Sequence, residues 1–329
     1  MASASIQVSD LVKTYPRGVR ALDGLTFTVR EGTVFGLLGP NGAGKSTAVR
    51  ILSTLSRQDT GTAVVAGYDV SRQPDAVRRE IGLVGQKLSA VPTATVRENV
   101  LLQGRMYGLK GRELATRADE AIARIGLSDA AGKPIGFCSG GMKRRVDIAM
   151  GIVHRPKVLF LDEPTTGLDP DIRMQLWDDL AKLVRADGLT ILLTTHYLEE
   201  ADTLADEVAI MDSGRVVTSG SPATLKQELR GDTLLVELDT DEAAGQATAL
   251  LADVGQVGEF KVDGRTLHAR AEVGGAAVPA VLERLSGAGL RVTSVTVSQP
   301  TLDDVYLQHT GHRLVAQRRA ELEPERSQS

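Results

Sequence analysis

At 329 residues the chain is long for one domain and comfortable for two, and an apolar content of 42% is enough for a real core. A formal charge of −4, with basic residues only in short clusters (Arg78-Arg79, Lys143 to Arg145, Arg318-Arg319), gives no electrostatic reason to expect nucleic acid. A single cysteine, Cys138, excludes an intrachain disulfide framework and fits a reducing compartment.

Met1 to Asp10 lacks a basic stretch followed by an apolar run, so no leader is expected, and no apolar run reaches the roughly 18 residues of a membrane span. Ile6 to Tyr15 and Leu22 to Val29 are β-rich runs separated by Pro16-Arg17-Gly18, which predicts an antiparallel pair. Val34 to Leu38 reads as a short buried strand. After it, Ala48, Val49, Ile51, Leu52 and Leu55 fall on one helical face. Thr62 to Val65 adds a strand, and from about Val96 to Met150 the pattern is helical. Val158 to Leu161 and Ile191 to Thr195 are short apolar runs alternating with helices at Met174 to Arg185 and Tyr197 to Leu204, which predicts a parallel α/β sheet.

Near Thr224 to Gly231 the organisation changes. Thr233 to Leu238, Glu242 to Ala252, Phe260 to Val262 with Leu267 to Val273, Val278 to Leu285 and Leu290 to Val297 read as β-α-ββ-α-β, the order of a small ferredoxin-like module. Thr301 to Gln308 adds a last helix. The expected division is 1–225, 226–311 and a charged, disordered tail over 312–329.

Between the strand and the helix lies Gly39-Pro40-Asn41-Gly42-Ala43-Gly44-Lys45-Ser46-Thr47, a match to the phosphate-loop pattern in its required strand–loop–helix setting. Its glycines let backbone N–H groups curl around an oxyanion, and the helix N-terminus adds partial positive charge. Lys45 would reach the β- and γ-phosphates of a nucleoside triphosphate, and the Ser46 hydroxyl would ligate Mg²⁺. Asp162 and Glu163 end a second strand on the rim where open α/β sheets gather their ligands. Asp162 would hold Mg²⁺, and Glu163 would orient and deprotonate the attacking water. His196 ends the next strand. A lone histidine is usually structural, but beside Asp162 an imidazole has a γ-phosphate to contact. Ser139-Gly140-Gly141 opens a helix with Ser139 as N-cap, and Lys143 to Arg145 crowd its first turn, which suggests an anion at the tip.

This ordered set resembles the ABC-type ATPases, the nucleotide-binding subunits of transporters, over about Ile6 to Pro222. Gly39 to Thr47 resembles their Walker A loop, Val158 to Glu163 Walker B, Cys138 to Met142 the signature loop and Gly167 to Asp169 the D-loop, with Gln86 at the Q-loop and His196 as switch histidine. Tyr15 matches the aromatic that stacks on adenine, although from sequence alone both it and Gln86 read as ordinary packing and loop residues. The runs Ser139 to Ala149, Leu192 to Asp202 and Leu302 to Gly311 are similar to the daunorubicin-resistance branch of exporters; Phe137-Cys138 and Met142 depart from the commoner signature.

The resemblance implies a phosphate-loop ATPase with a parallel core sheet, an antiparallel β subdomain and a helical subdomain, followed by the small βαββαβ domain. It implies ATP and Mg²⁺, with Gln86 sensing the metal. It also implies a head-to-tail homodimer in which Ser139, Gly140 and Gly141 close on the partner's nucleotide with Asp169 at the seam. A separate membrane-spanning permease, touched by about Lys87 to Tyr107, would hold the chain at the cytoplasmic face of the membrane and export a hydrophobic drug. The rival is a soluble ATPase acting on ribosomes or DNA. Ribosome-acting members carry two cassettes, and the DNA-repair type inserts a coiled coil for which Thr54 to Phe137 leaves no space. An importer ATPase is disfavoured by the C-terminal resemblance. Cys138 reads as a bystander, but beside Ser139 its modification by bulky thiol reagents is expected to inhibit hydrolysis, with ATP protecting.

Overall fold

The computed structural model describes residues 3–229, 231–255 and 257–311, so the tail expected over 312–329 lies outside the described residues. The chain divides into two compact units between Ser219 and Gly220, ahead of residue 225 where the sequence pattern changes.

In chain order the first unit comprises β1 (Ala4–Tyr15), β2 (Val19–Arg30), β3 (Val34–Leu38), α1 (Lys45–Leu52), β4 (Thr60–Val65), β5 (Tyr68–Asp69), α2 (Pro74–Glu80) and β6 (Ile81–Val84). It continues with α3 (Val96–Met106), α4 (Gly111–Arg124), α5 (Gly140–Ile152), β7 (Val158–Asp162), α6 (Pro170–Asp187), β8 (Thr190–Thr195), α7 (Leu198–Leu204), β9 (Glu207–Asp212) and β10 (Arg215–Gly220). One sheet has the order β2-β1-β4-β5. Along β1, Ile6 and Val8 point inward at period two. Asp10, at φ 50°, then shifts the register so that Leu11 returns to the interior. The second sheet has the order β10-β9-β3-β8-β7-β6, and β6, β7, β8, β3 and β9 pair in parallel.

The central strands are apolar on both faces because both faces are covered. Val158 and Phe160 of β7 pack with α1 and the antiparallel sheet, while Leu159 and Leu161 pack with α3 to α6. Close approach fixes α5: a Cβ on Gly82 of β6 would lie 2.2 Å from the carbonyl oxygen of Gly151, a position only glycine fills. Tyr107, just past α3, stacks on His154, just past α5, with ring centroids 3.5 Å apart. One expected position fails. Leu55 lies beyond the end of α1 and is 60% exposed, because the helix stops at Leu52 and Thr54 takes a left-handed φ of 63°.

The second unit comprises α8 (Pro222–Glu228), β11 (Asp232–Leu238), α9 (Asp241–Leu251), β12 (Val257–Asp263), β13 (Thr266–Ala271), α10 (Gly274–Gly287), β14 (Val292–Ser298) and α11 (Leu302–Thr310). Its sheet order is β12-β13-β11-β14, with each neighbouring pair antiparallel. This is the ferredoxin-like arrangement that the β-α-ββ-α-β order predicts. Leu234, Val236 and Leu238 bury against Ala244, Ala247, Val281 and Leu285 of α9 and α10. Thr233, alternate to Leu234, donates instead to Asp304 Oδ2 of α11 at 3.1 Å. Among the described residues no helix is long and apolar enough to cross a membrane.

Candidate active site

The phosphate loop runs from the end of β3 into the first turn of α1. Gly44 takes φ 101°, and a Cβ there would lie 2.4 Å from the Ala21 carbonyl oxygen, so the turn admits no side chain. Ala43 is buried, Pro40 accepts its amide at 3.3 Å, and Asn41 and Gly42 face outward while Thr47 is half-buried. Lys45 is only 4% exposed. Its ammonium donates to the carbonyls of Gly39 at 2.7 Å and Pro40 at 2.9 Å, and lies 3.8 Å from Glu163 Oε1.

Parallel pairing sets Asp162, the last residue of β7, beside Thr194 of β8. Asp162 Oδ1 accepts Ser46 Oγ at 3.0 Å and Thr194 Oγ1 at 2.6 Å, which joins α1, β7 and β8 at one oxygen. Glu163 leaves the strand at φ 48°, an unusual conformation for a side chain of its size, and its amide donates to Thr194 Oγ1 at 3.0 Å. His196 Nδ1 stands 3.3 Å from Glu163 Oε1, at ion-pair distance but short of hydrogen-bond alignment. The His196 imidazole, and after it the Lys45 ammonium, hold the Glu163 carboxyl below the usual glutamate range against the upward push of burial. Glu163 is therefore a carboxylate at neutral pH, flanked by a buried cation and an imidazole.

Lys45, Ser46, Asp162, Glu163 and His196 thus form one connected group on the carboxyl ends of β3, β7 and β8. Tyr15, Gln86, Ser139, Gly140, Gly141 and Asp169 lie on other elements. Tyr15 ends β1 half-buried, with the Lys13 ammonium 5.9 Å over its ring. Gln86 is exposed in the loop after β6. Ser139 caps α5 by accepting the Met142 amide at 3.3 Å, and Ser139 and Gly140 are exposed while Gly141 is buried. Asp169 is the exposed residue before α6 and makes no side-chain cap there.

Two expectations are corrected. The basic run after Ser139 does not crowd the helix tip, because Arg144 turns into the interior and Arg145 pairs with Asp179 of α6 at 3.0 Å. Cys138 is buried with its thiol toward the Pro134 carbonyl, so it is not open to bulky reagents. Sequence reasoning also missed Thr194, one of three threonines in β8 and not set apart by type from Thr190 and Thr195. It missed Glu200 of α7 as well, fully buried and accepting from Trp177 Nε1 and Thr165 Oγ1, each at 3.2 Å.

A buried lysine on a glycine loop, with a hydroxyl–carboxylate pair beside it and an ionised glutamate facing a histidine, defines a phosphate-loop nucleotide hydrolase. The comparisons sharpen that class. The ABC transporter family matches residues 22–166, and the family of the C-terminal domain of DrrA1-3-like ATP-binding proteins matches 220–310. The chain is 46% identical over 309 residues to the daunorubicin/doxorubicin resistance ATP-binding protein of Streptomyces peucetius, covering 94% of this chain and 93% of that protein. Among solved structures it is similar to cbiO1 of Clostridium perfringens, part of the ABC transporter complex cbiONQ, at 30% identity and TM-score 0.64, covering 77% of this chain and 97% of that one. It is also similar to an ATP-binding cassette solved as a dimer in a post-hydrolysis state with ADP and Pi, at 27% identity and TM-score 0.59, covering 66% of this chain and 98% of that one. The chain belongs to the ABC transporter ATP-binding proteins, in the daunorubicin-resistance branch, and its reaction is the hydrolysis of ATP.

Proposed function

We propose that two copies of this chain close head to tail around two ATP molecules and drive the efflux of a hydrophobic drug or natural product through a separate membrane permease. The observation that carries the reading is the split of the site. Lys45, Ser46, Asp162, Glu163 and His196 meet on one rim, while the Ser139 helix tip stays exposed on another element. An exposed helix N-terminus, with its partial positive charge, suits the γ-phosphate held in a second copy. Asp169 then lies at the seam, and Tyr15 stacks on adenine. The dimeric cassette among the similar structures supports this pairing.

Within one site the Lys45 ammonium and the amides of Gly39 to Thr47 bind the β- and γ-phosphates. The Ser46 hydroxyl and the Asp162 carboxylate are hard oxygen donors that meet at 3.0 Å, a set that fits Mg²⁺, and we assign Gln86 to sensing the same ion. The metal, when bound, neutralises phosphate charge. Glu163 takes the proton from the attacking water, and His196 stabilises charge on the γ-phosphate. The left-handed Glu163 backbone is the kind of strain found where a side chain is aimed for chemistry.

Exposed apolar side chains support the permease contact. Leu88, Val91, Leu102 and Met106 line the loop after Gln86 and α3, and Met106 is 75% exposed. Phe137, 77% exposed, joins them because Gly136 donates to the Pro92 carbonyl at 2.8 Å. We assign residues 1–225 to nucleotide chemistry and 226–311 to an accessory domain, and place the chain at the cytoplasmic face of the membrane through its permease.

Glu163→Gln tests the chemistry: turnover is lost and a nucleotide-bound dimer accumulates on size exclusion, whereas normal turnover removes Glu163 as base. Mild-detergent affinity purification with mass spectrometry tests the job. A polytopic membrane protein at near-equal stoichiometry is the expected companion; ribosomal or DNA-repair proteins with no membrane partner would overturn the transport reading.

A further inference from the structure

Three backbone carbonyls at the ends of β6 and β7 converge on one guanidinium. Arg144, in the second turn of α5 and 4% exposed, donates from Nε to the Pro164 carbonyl at 2.7 Å. From Nη1 it donates to Gly85 O at 2.6 Å, and from Nη2 to Asp162 O at 3.3 Å. The nearest carboxylate is that of Asp147, one turn along the same helix, at 4.0 Å. Asp147 is itself engaged, accepting the Ser89 amide at 3.1 Å and the Ser89 hydroxyl at 2.8 Å.

The carbonyls that Arg144 grips are not scattered. Asp162 and Pro164 flank Glu163, the residue at φ 48°, and Gly85 immediately precedes Gln86. One planar fork therefore fixes the chain on both sides of the strained glutamate, fixes the start of the Gln86 loop, and is carried by the helix whose tip is Ser139. We propose that Arg144 is a positioning residue for ATP turnover: it touches no nucleotide, but holds Glu163 in its left-handed conformation and ties that conformation to the signature helix. The proposal rests on the reading of Glu163 as the base.

Glue between α5 and the sheet would not call for this arrangement. Burying a cation is costly, and an apolar side chain of similar volume stabilises a helix–sheet contact at least as well. Apolar packing is already in place nearby, where Gly82 lets α5 sit directly on β6. What a guanidinium adds is rigid spacing among several acceptors, which a lysine ammonium cannot reproduce. Arg144 and Asp147 both fall within the run Ser139 to Ala149 that carries the branch resemblance, and the network gives those two letters a physical task.

The test is steady-state ATP hydrolysis by the purified full chain and its Arg144→Met and Arg144→Lys variants, with ADP affinity followed by a fluorescent ADP analogue. Arg144→Met lowers kcat about 10- to 100-fold, the range that release of one strained backbone residue converts to. KM for ATP and the Kd for ADP stay within about twofold, because the Lys45 loop is untouched. Arg144→Lys, able to grip part of the carbonyl set, falls between parent and Met variant. Should Arg144→Met not fold, the Lys variant is judged by the same split between kcat and ADP affinity. A folded variant with parental kcat, or one whose ADP affinity falls in step with kcat, overturns the proposal. Glu163→Gln is measured separately: normal turnover there sinks the reading of Glu163, whatever Arg144 does.

Discussion

Thr194→Val removes one hydroxyl from the fully buried strand β8 while keeping the shape of the side chain. That hydroxyl donates to Asp162 Oδ1 at 2.6 Å and accepts the Glu163 amide at 3.0 Å. Neither partner is left bare, since Asp162 keeps Ser46 at 3.0 Å and the amide keeps the Thr194 carbonyl at 3.2 Å. A hydrogen bond to a carboxylate contributes roughly 1.5–3 kcal/mol and a neutral one about 1 kcal/mol. With the remaining partners taking up part of the loss, the variant is destabilised by about 2–3 kcal/mol, and no cavity term adds to it. If about half of that is felt at Glu163, the base in the proposed reaction, kcat falls roughly 10-fold. Urea denaturation and steady-state ATP hydrolysis of the same preparation read the two effects. Thr194→Ser restores the hydroxyl and recovers activity to within about threefold of the parent. A Thr194→Val protein with parental kcat and an unchanged urea midpoint would refute the role given to this hydroxyl.

Burial pushes the His154 imidazole down to about 4, so the folded protein keeps it neutral where the unfolded chain, at about 6.5, takes a proton. Its stability contribution is complete above about pH 6.5 and is lost as pH falls toward 4. Urea midpoints measured at pH 7.5 and pH 5 will therefore drop more in the parent than in His154→Phe, which keeps the stack on Tyr107 and cannot titrate. An equal drop in both would remove His154 as the cause. Cys138, buried beside Pro134, reacts with a bulky disulfide reagent at least about tenfold more slowly in the native protein than in urea, with or without ATP. Rapid labelling of the native chain would contradict its burial.

Much of this was legible because the chemistry sits on strongly patterned elements. β3 and β7 are short apolar runs, β8 has an apolar centre at Ile191 to Leu193, and the loop Gly39 to Thr47 stands in the strand–loop–helix setting that its pattern requires. The C-terminal unit announced itself through period-two strands and its β-α-ββ-α-β order. One kind of failure concerns which way a side chain turns after its element is fixed. Lys143, Arg144 and Arg145 look alike in sequence, yet Arg144 enters the core because carbonyls wait there and Arg145 finds Asp179. The short strand β6 follows α2 directly and offers only four residues of pattern, so the edge of the parallel sheet was not visible. Leu55 matched the helical period but fell beyond a left-handed turn at Thr54 that no residue type announces.

The central sheet also constrains how the protein comes into being. Ser46, Asp162 and Thr194 meet at a single oxygen, yet each arrives on a different element, and Ser46 is made 116 residues before its partner. Synthesis delivers β3 and its loop early, but β8 must pair beside β3, and β7 beside β8, before these oxygens face one another. Such non-local pairing forms slowly. A chain stopped before Thr194 therefore lacks one of the three side chains of the oxygen junction. Ligand that binds only the finished site pulls the last insertion forward by mass action, which makes the fuel itself a selective stabiliser of completed chains.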